Sequence, residues 1–160
     1  MLPAVTRLFE SFHSRSADLE RINRAHVVLL PKKNGLPAPS SFQPISLQNC
    51  SIKAICKALT TRLQYQIHKI IDVDQTGFIS GRNISENFVY ATELVQTCCR
   101  RQAPCVVLKL DFAKAFDSVS WASLRDVMIA RGFPPIWCEW MDGIFSSSRS
   151  AVLLNGIPGK

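Results

Sequence analysis

Two long stretches carry apolar side chains at helical spacing, and they constrain the fold more than any other feature. In residues 51–71 the apolar positions recur every three or four residues, at Ile52, Ile55, Leu59, Leu63, Ile67 and Ile70. Lys53 and Lys57 fall on another face of this predicted helix. Residues 83–101 repeat the pattern and end in two arginines, which suit the negative end of a helix dipole. A hydrophobic content of 47% with 19% charged residues adds that the chain is globular.

Shorter elements complete an expected α+β class. Three segments are predicted as strands because they are rich in β-branched residues and leucine: residues 26–30, 105–110 and 150–154. The turn Asn155-Gly156 follows the last one, as in a β-hairpin. Helices are predicted for residues 121–131, between Ser120 and Gly132, and after Pro134. Residues 32–42 are predicted to form a loop.

The charge of the chain is uneven. Nineteen Lys and Arg residues oppose twelve Asp and Glu residues, a formal net charge of +7. Residues 21–71 contain no acidic residue and eight basic ones: Arg21, Arg24, Lys32, Lys33, Lys53, Lys57, Arg62 and Lys69. This favours a nucleic-acid partner, although any single lysine is more simply a solvated charge.

The sequence contains neither a membrane-spanning segment nor the cysteine spacing of a zinc finger. No apolar run approaches the roughly 20 residues of a membrane-spanning helix, and the N-terminus does not resemble a secretory signal. We therefore expect no membrane partner and a location in the nucleus or cytoplasm. The six cysteines lack zinc-finger spacing, so they are predicted to be buried free thiols in a reducing compartment.

The stretch around Asp111 is the best candidate for chemistry. Asp111 ends the predicted strand 105–110, and ligands of sheet-based enzymes bind at that edge. A carboxylate there suits Mg²⁺, which needs only one or two of them. The simpler alternative is that Asp111 stabilises a turn and Asp117 caps or pairs at the next helix.

Six ordered blocks resemble a known family. LKLDFAKAFDSV, residues 108–119, is similar to the first palm motif of the reverse transcriptases of non-LTR (LINE-type) retrotransposons. The other blocks follow family order and spacing: VVLLPKK, SSFQPISLQN, KAICKALTTRL, DQTGFISGRNISEN and GFPPIWCEWM. The final VLLNGIPGK is similar to the hairpin that follows in these polymerases, and the resemblance runs from about Asp18 onward.

The resemblance implies a set of site residues. Asp111 would be a catalytic metal ligand beside the Phe112 carbonyl, in a site for two Mg²⁺ ions. Phe116 would lie under the sugar of the incoming dNTP, unless it is a core aromatic. Lys32 or Lys33 would meet the triphosphate. The nucleic-acid path, for an RNA template and a DNA primer, would be lined by Lys53, Lys57 and Arg82.

Two departures from the family pattern limit these expectations. Gln43 stands where the family usually has Arg, and a neutral amide cannot replace that charge. The paired aspartates of the Tyr-x-Asp-Asp type are not in this sequence. The expected architecture is thus a right-hand polymerase truncated before the second palm aspartate motif, with a fingers-like basic half (residues 18–104) and a partial palm (105–160).

Three functional readings remain open at this point. The first is a reverse transcriptase domain fragment that is inactive alone and needs the rest of the palm and the thumb. The second is a non-catalytic nucleic-acid-binding module, and the third is a non-functional remnant of a decayed element. For the fragment we also expect an unpaired apolar edge on the strand 150–154.

Overall fold

The computed structural model describes residues 2–32, 41–112 and 114–159, which form helices and a four-stranded sheet. The helices are α1 (Leu2–His13), α2 (Leu19–Ile22), α3 (Cys50–Ile67), α4 (Ile84–Arg100), α5 (Trp121–Ala130) and α6 (Pro135–Ser146). The strands are β1 (Arg24–Pro31), β2 (Phe42–Gln48), β3 (Arg149–Leu154) and β4 (Ile157–Pro158). The chain divides into two compact units, Met1–Ala58 with Ser120–Lys160, and Leu59–Val119.

The sheet belongs to the first unit and has the strand order β2-β1-β3-β4. β1 pairs with β2 in an antiparallel ladder and with β3 in a parallel one. The parallel ladder begins at Arg24 and Arg149, and the Arg149 N–H also donates to the Asn23 carbonyl at 3.1 Å. β1 is thus an interior strand, which agrees with its run of valine and leucine.

The core of the first unit combines aromatic contacts with a buried polar anchor. The Phe12 ring of α1 lies 5.7 Å from the Trp140 ring of α6, and both residues are buried. Asn23 is buried as well, and its amide donates to the Ile144 carbonyl (2.7 Å) and the Ser147 hydroxyl (3.0 Å). These two hydrogen bonds fix the residue that precedes β1 against the C-terminal end of α6.

The predicted boundaries of α4, α5 and the start of α6 are confirmed, whereas α3 ends at Ile67, four residues before the predicted end at residue 71. Ser120 accepts from the Ser123 N–H and caps α5, whereas Asp117 lies upstream in a turn and is not the cap. Gly132, with φ +76°, follows the end of α5, and α6 begins at Pro135. Asn83 accepts from the Ser85 N–H and caps α4.

The hairpin prediction is confirmed, but the expected open edge of β3 is largely wrong. Asn155 and Gly156 have φ values of +52° and +80°, as a tight hairpin turn requires. β3 is paired along one side with β1, and on its other side Leu153 and Leu154 pair with β4. The Gly159 N–H extends this pairing by donating to the Val152 carbonyl at 2.8 Å.

The second unit buries few side chains. Of its described residues, Leu59 and Thr76 are the buried ones. The predicted strand 105–110 is wrong: these residues have no strand structure, and Val106 is 94% exposed. An extended segment becomes a strand only when a neighbour satisfies its backbone groups, and no described residue does so here.

β2 and α1 were not predicted, although Leu2, Val5, Leu8 and Phe12 of α1 recur every three or four residues, as in an amphipathic helix. Of the six cysteines only Cys138 is buried, so the prediction of buried thiols is wrong for the others, although all six are free. No helix in the described part of the chain is both long and apolar enough to cross a membrane.

Candidate functional site

Asp111 lies in the second unit, on an exposed segment that leads into a turn. The segment has no regular secondary structure through Phe112, and its side chains, including the Asp111 carboxylate, are exposed. Lys114 has φ +51°, and its carbonyl accepts from the N–H groups of Asp117 (3.0 Å) and Ser118 (3.1 Å). A tight turn therefore separates Asp111 from Asp117, and both residues are exposed.

The described residues include oxygen atoms that could bind a metal ion, but too few of them lie together. The Asp111 carboxylate and the Phe112 carbonyl are hard oxygen ligands, which Mg²⁺ prefers. No group of three or more His, Cys, Asp or Glu side chains converges within residues 2–32, 41–112 and 114–159. These residues therefore do not form a two-ion site by themselves.

Phe116 packs against a second exposed aromatic residue, Phe78. The ring centroids are 5.9 Å apart and the rings meet edge to face at 86°. Phe116 is 81% exposed and Phe78 is 86% exposed, so the alternative that Phe116 is a core aromatic is wrong. Much of the surface of each ring remains available to a ligand with a flat apolar face.

The loop that carries Phe78 is held by the side chain of Gln64 on α3. The Gln64 amide donates to the Phe78 carbonyl at 3.2 Å and accepts from the Ser80 N–H at 3.1 Å. Phe78 adopts φ +63°, a conformation that is costly for a bulky residue. Gln64 therefore stabilises a strained backbone that presents an aromatic ring to solvent.

Arg82 and Asn87 hold the same loop from its C-terminal side. Arg82 Nη1 donates to the carbonyls of Asp72 and Gln75, each at 2.5 Å. The Asn87 amide donates to the Asp74 carbonyl at 3.1 Å. Since backbone carbonyls carry no net charge, the positive charge of Arg82 is not neutralised by these bonds.

The basic residues of the first unit point away from its core. Lys53 and Lys57 are exposed on α3, on the face opposite Ile52 and Ile55, which are each 1% exposed. This confirms the predicted faces of the helix. Lys32 is exposed just after β1, where its N–H donates to the Ser41 carbonyl at 2.7 Å.

Lys33 lies outside the described residues, as do residues 34–40 of the predicted loop. Gln43, the departure from the family pattern, is exposed on β2 opposite Leu30 of β1.

The predicted site residues fall into two groups. Lys32, Lys53 and Lys57 belong to the first unit, and Arg82, Asp111, Phe112 and Phe116 belong to the second. Within the second unit, the structure adds Phe78, Gln64 and Asn87, which sequence reasoning did not single out. The block DQTGFISGRNISEN contains Phe78 and Asn87, whereas no pattern in the sequence pointed to Gln64.

Comparisons with known proteins agree on one family. A family model described as reverse transcriptase (RNA-dependent DNA polymerase) matches residues 30–158. The chain is 30% identical over 132 residues to the transposon TX1 uncharacterized 149 kDa protein of Xenopus laevis, covering 82% of this chain and 10% of that protein.

Two further relatives are Pol polyproteins of retrotransposable elements. The first is the retrovirus-related Pol polyprotein from type-2 retrotransposable element R2DM of Drosophila melanogaster, 28% identical over 135 residues, which are 84% of this chain and 12% of that protein. The second, from type-1 retrotransposable element R2 of Nasonia vitripennis, is 24% identical over 128 residues, or 80% of this chain and 12% of that protein. The chain thus spans 10–12% of the length of these relatives.

Proposed function

The chain belongs to the reverse transcriptase family, of the kind found in non-LTR (LINE-type) retrotransposons, and on that premise we propose that it is the nucleotide-binding part of an RNA-directed DNA polymerase. The observation that carries the proposal is the family match across residues 30–158. The proposed activity belongs to a longer protein, in which an RNA template, a DNA primer and dNTPs meet.

Asp111 is the proposed catalytic carboxylate. It follows an apolar segment and precedes a tight turn, and its carboxylate is accessible to a ligand. We propose that Asp111 and the Phe112 carbonyl are part of a Mg²⁺ site whose other carboxylates come from outside residues 1–160. Bound Mg²⁺ would supply positive charge to the phosphates of a nucleotide. Because the described donors are too few to form the site, no further step is assigned to it.

Phe116 is proposed to lie under the sugar of the incoming dNTP. Its exposure and its support from Phe78 are consistent with a ring that contacts a ligand rather than a core. Lys32 and Lys33 are proposed to contact the triphosphate, where their charge would be complementary. Gln43 would contribute only neutral hydrogen bonds to the same phosphates.

Lys53, Lys57 and Arg82 are proposed to contact the nucleic acid. Lys53 and Lys57 are one helical turn apart on an exposed face, a spacing that suits contacts to neighbouring phosphates. In this proposal, residues 18–104 correspond to the fingers and residues 105–160 to part of the palm of a right-hand polymerase.

Primer extension by the longer protein tests the proposal. Asp111→Asn keeps the shape of the side chain but removes its charge, and we expect extension of a DNA primer on an RNA template to fall at least about 100-fold, equivalent to roughly 2.7 kcal/mol. Asp117→Asn is the matched control, because Asp117 lies beyond the turn, and its activity should stay within about threefold of the wild type. Equal effects of the two substitutions would contradict the role of Asp111.

A second candidate function is nucleic-acid binding without catalysis. The observation that favours it is the exposure of every described basic residue in the acid-free stretch: Arg21, Arg24, Lys32, Lys53, Lys57, Arg62 and Lys69. Exposed basic side chains bind phosphates without reading the sequence. Binding of RNA by residues 1–160, with no extension activity in the longer protein, would favour this function over the first.

A further inference from the structure

The orientation of the Phe116 ring depends on few contacts, because the side chain is largely exposed. Within the described part of the chain, its one ring contact is with Phe78, at 5.9 Å between centroids and 86° between ring planes. Exposed side chains otherwise change rotamer within nanoseconds. In an edge-to-face pair the edge of one ring is attracted to the face of the other. The contact with Phe78 therefore favours one orientation of Phe116.

The position of Phe78 is in turn fixed by its backbone. Its φ of +63° is unfavourable for a bulky residue, and such a conformation persists only where its surroundings hold it. The Gln64 side chain does so from both sides, by donating to the Phe78 carbonyl and accepting from the Ser80 N–H. Arg82 adds hydrogen bonds to two carbonyls earlier in the same loop. The Phe78 ring is thus the better supported member of its pair with Phe116.

We propose that Phe78 is a positioning residue for Phe116, and that through this contact it determines how strongly the site selects dNTPs over rNTPs. This role rests on the proposed function, in which Phe116 lies under the sugar of the incoming nucleotide. A ribonucleotide differs there by one 2′-hydroxyl, so its rejection by a clash depends on a ring that does not move aside. Gln64 acts one step further away, by holding the backbone that carries Phe78.

The expected effect of losing Phe78 is on selectivity rather than on overall activity. A Phe116 ring that is free to rotate still leaves room for a deoxyribose. The same freedom lets the ring yield to a 2′-hydroxyl, so reaction with rNTPs rises while reaction with dNTPs is retained. A residue with a merely structural role would instead lower kcat/KM for both nucleotides by the same factor.

Single-nucleotide primer extension by the longer protein measures this selectivity. The readout is kcat/KM for dGTP divided by kcat/KM for GTP, opposite a cytosine of an RNA template. Phe78→Asn removes the ring but suits the backbone, because Asn tolerates a positive φ. We expect it to lower the ratio by about 2–10-fold, the range that one aromatic pair can supply, with dGTP incorporation within about threefold of the wild type. Phe78→Tyr keeps the ring and should keep the wild-type ratio.

Matched controls test whether the effect is specific to this contact. Phe88 is another exposed aromatic residue of the second unit, on α4, and Phe88→Asn should keep the wild-type ratio. An equal fall with Phe88→Asn would overturn the positioning role of Phe78.

A second pair of variants tests the support from α3. Gln64→Glu places an oxygen opposite the Phe78 carbonyl in place of the amide donor, and should lower the ratio by about twofold or more. Gln66→Glu adds the same charge at an exposed position of the same helix and should not. If the two variants behave alike, the role assigned to Gln64 is overturned.

Phe116→Ala separates the role of Phe78 from the proposed function. If Phe116 lies under the sugar, Phe116→Ala lowers the ratio further than Phe78→Asn does. Adding Phe78→Asn to it then changes the ratio by less than about twofold, because no ring remains to be positioned. An unchanged ratio in Phe116→Ala would contradict the proposed function and overturn the role of Phe78 with it. A fall with Phe116→Ala but not with Phe78→Asn, or equal losses for dGTP and GTP in Phe78→Asn, would overturn the role of Phe78 alone.

Discussion

The rings of Phe78 and Phe116 meet edge to face, with 5.9 Å between their centroids, although they come from different loops of the second unit. We expect this contact to be measurable as a coupling in the free energy of unfolding. A double-mutant cycle with Phe78→Ala and Phe116→Ala should give about 0.5 kcal/mol, the low end for aromatic pairs, because both rings are largely exposed. Pairing Phe78→Ala with Phe88→Ala, a change at an exposed residue of α4, provides a control that should show no coupling.

The second prediction concerns catalysis by residues 1–160 alone. These residues provide one candidate palm carboxylate, Asp111, and the described ones contain no converging set of metal ligands. We expect no primer extension with any combination of template, primer, dNTP and Mg²⁺ or Mn²⁺. Extension that is abolished by Asp111→Asn in the purified chain would contradict this expectation and would mean that residues 1–160 complete a site.

The third prediction concerns the salt dependence of nucleic-acid binding. Changing Lys32, Lys33, Lys53 and Lys57 to Gln should lower the slope of log affinity against log salt concentration by about 3, if each lysine contacts one phosphate. Arg125→Gln is a suitable control, because Arg125 is already paired with the Asp142 carboxylate, and its slope should be close to that of the wild type. If the quadruple variant keeps the wild-type slope, these lysines do not contact the nucleic acid.

The fourth prediction concerns the buried anchor Asn23. Asn23→Ala removes hydrogen bonds of 2.7 Å and 3.0 Å to groups at the end of α6, and we expect it to lower the free energy of unfolding by about 1–3 kcal/mol. Asn87→Ala removes an exposed hydrogen bond of 3.1 Å to Asp74 and should cost no more than about 0.5 kcal/mol. Urea denaturation of both variants measures the difference. Equal losses of unfolding free energy would show that burial does not strengthen the stabilising effect of the Asn23 hydrogen bonds.

The fifth prediction concerns self-association. Val106, Val107, Leu108 and Leu110 form a short exposed apolar segment, and segments of this kind are prone to pair between molecules. The purified chain should associate at roughly 50 µM, within the range where such surfaces aggregate. Val106→Lys with Leu108→Lys should reduce the associated fraction in analytical ultracentrifugation. Leu2→Lys, at an exposed position of α1, should leave it unchanged.

A monodisperse wild-type chain at the same concentration would count against the fifth prediction. It would mean that residues 105–112 are protected from intermolecular contact despite their exposed side chains.

The candidate site was only partly predictable. Asp111 and Phe116 are marked by a motif that is contiguous in the sequence, so they could be named without a structure. Gln64 and Phe78 act together because α3 and a later loop approach each other, with hydrogen bonds of 3.2 and 3.1 Å that no local pattern reveals. The reversal of the chain after α4 depends on a positive φ at Gln102, a residue type that gives little warning of that conformation.

The sequence by itself determined the elements whose signals are local: the amphipathic faces of α3, the helical span of α4, the Ser120 cap of α5, and the Asn155-Gly156 turn. The apolar positions of α4 that were expected to pack in a core are largely exposed, as Ile84 (59%) and Phe88 (70%) show. Each depends on residues within one or two turns of chain, so period and capping chemistry suffice to predict it. Only the tertiary structure decided which extended segments became strands. β1 and β3 are far apart in sequence and pair in parallel, whereas residues 105–110, with an equally apolar composition, have no ladder partner among the described residues. The physical reason is that a strand is stabilised by hydrogen bonds to a neighbour, and the sequence of the strand does not specify that neighbour.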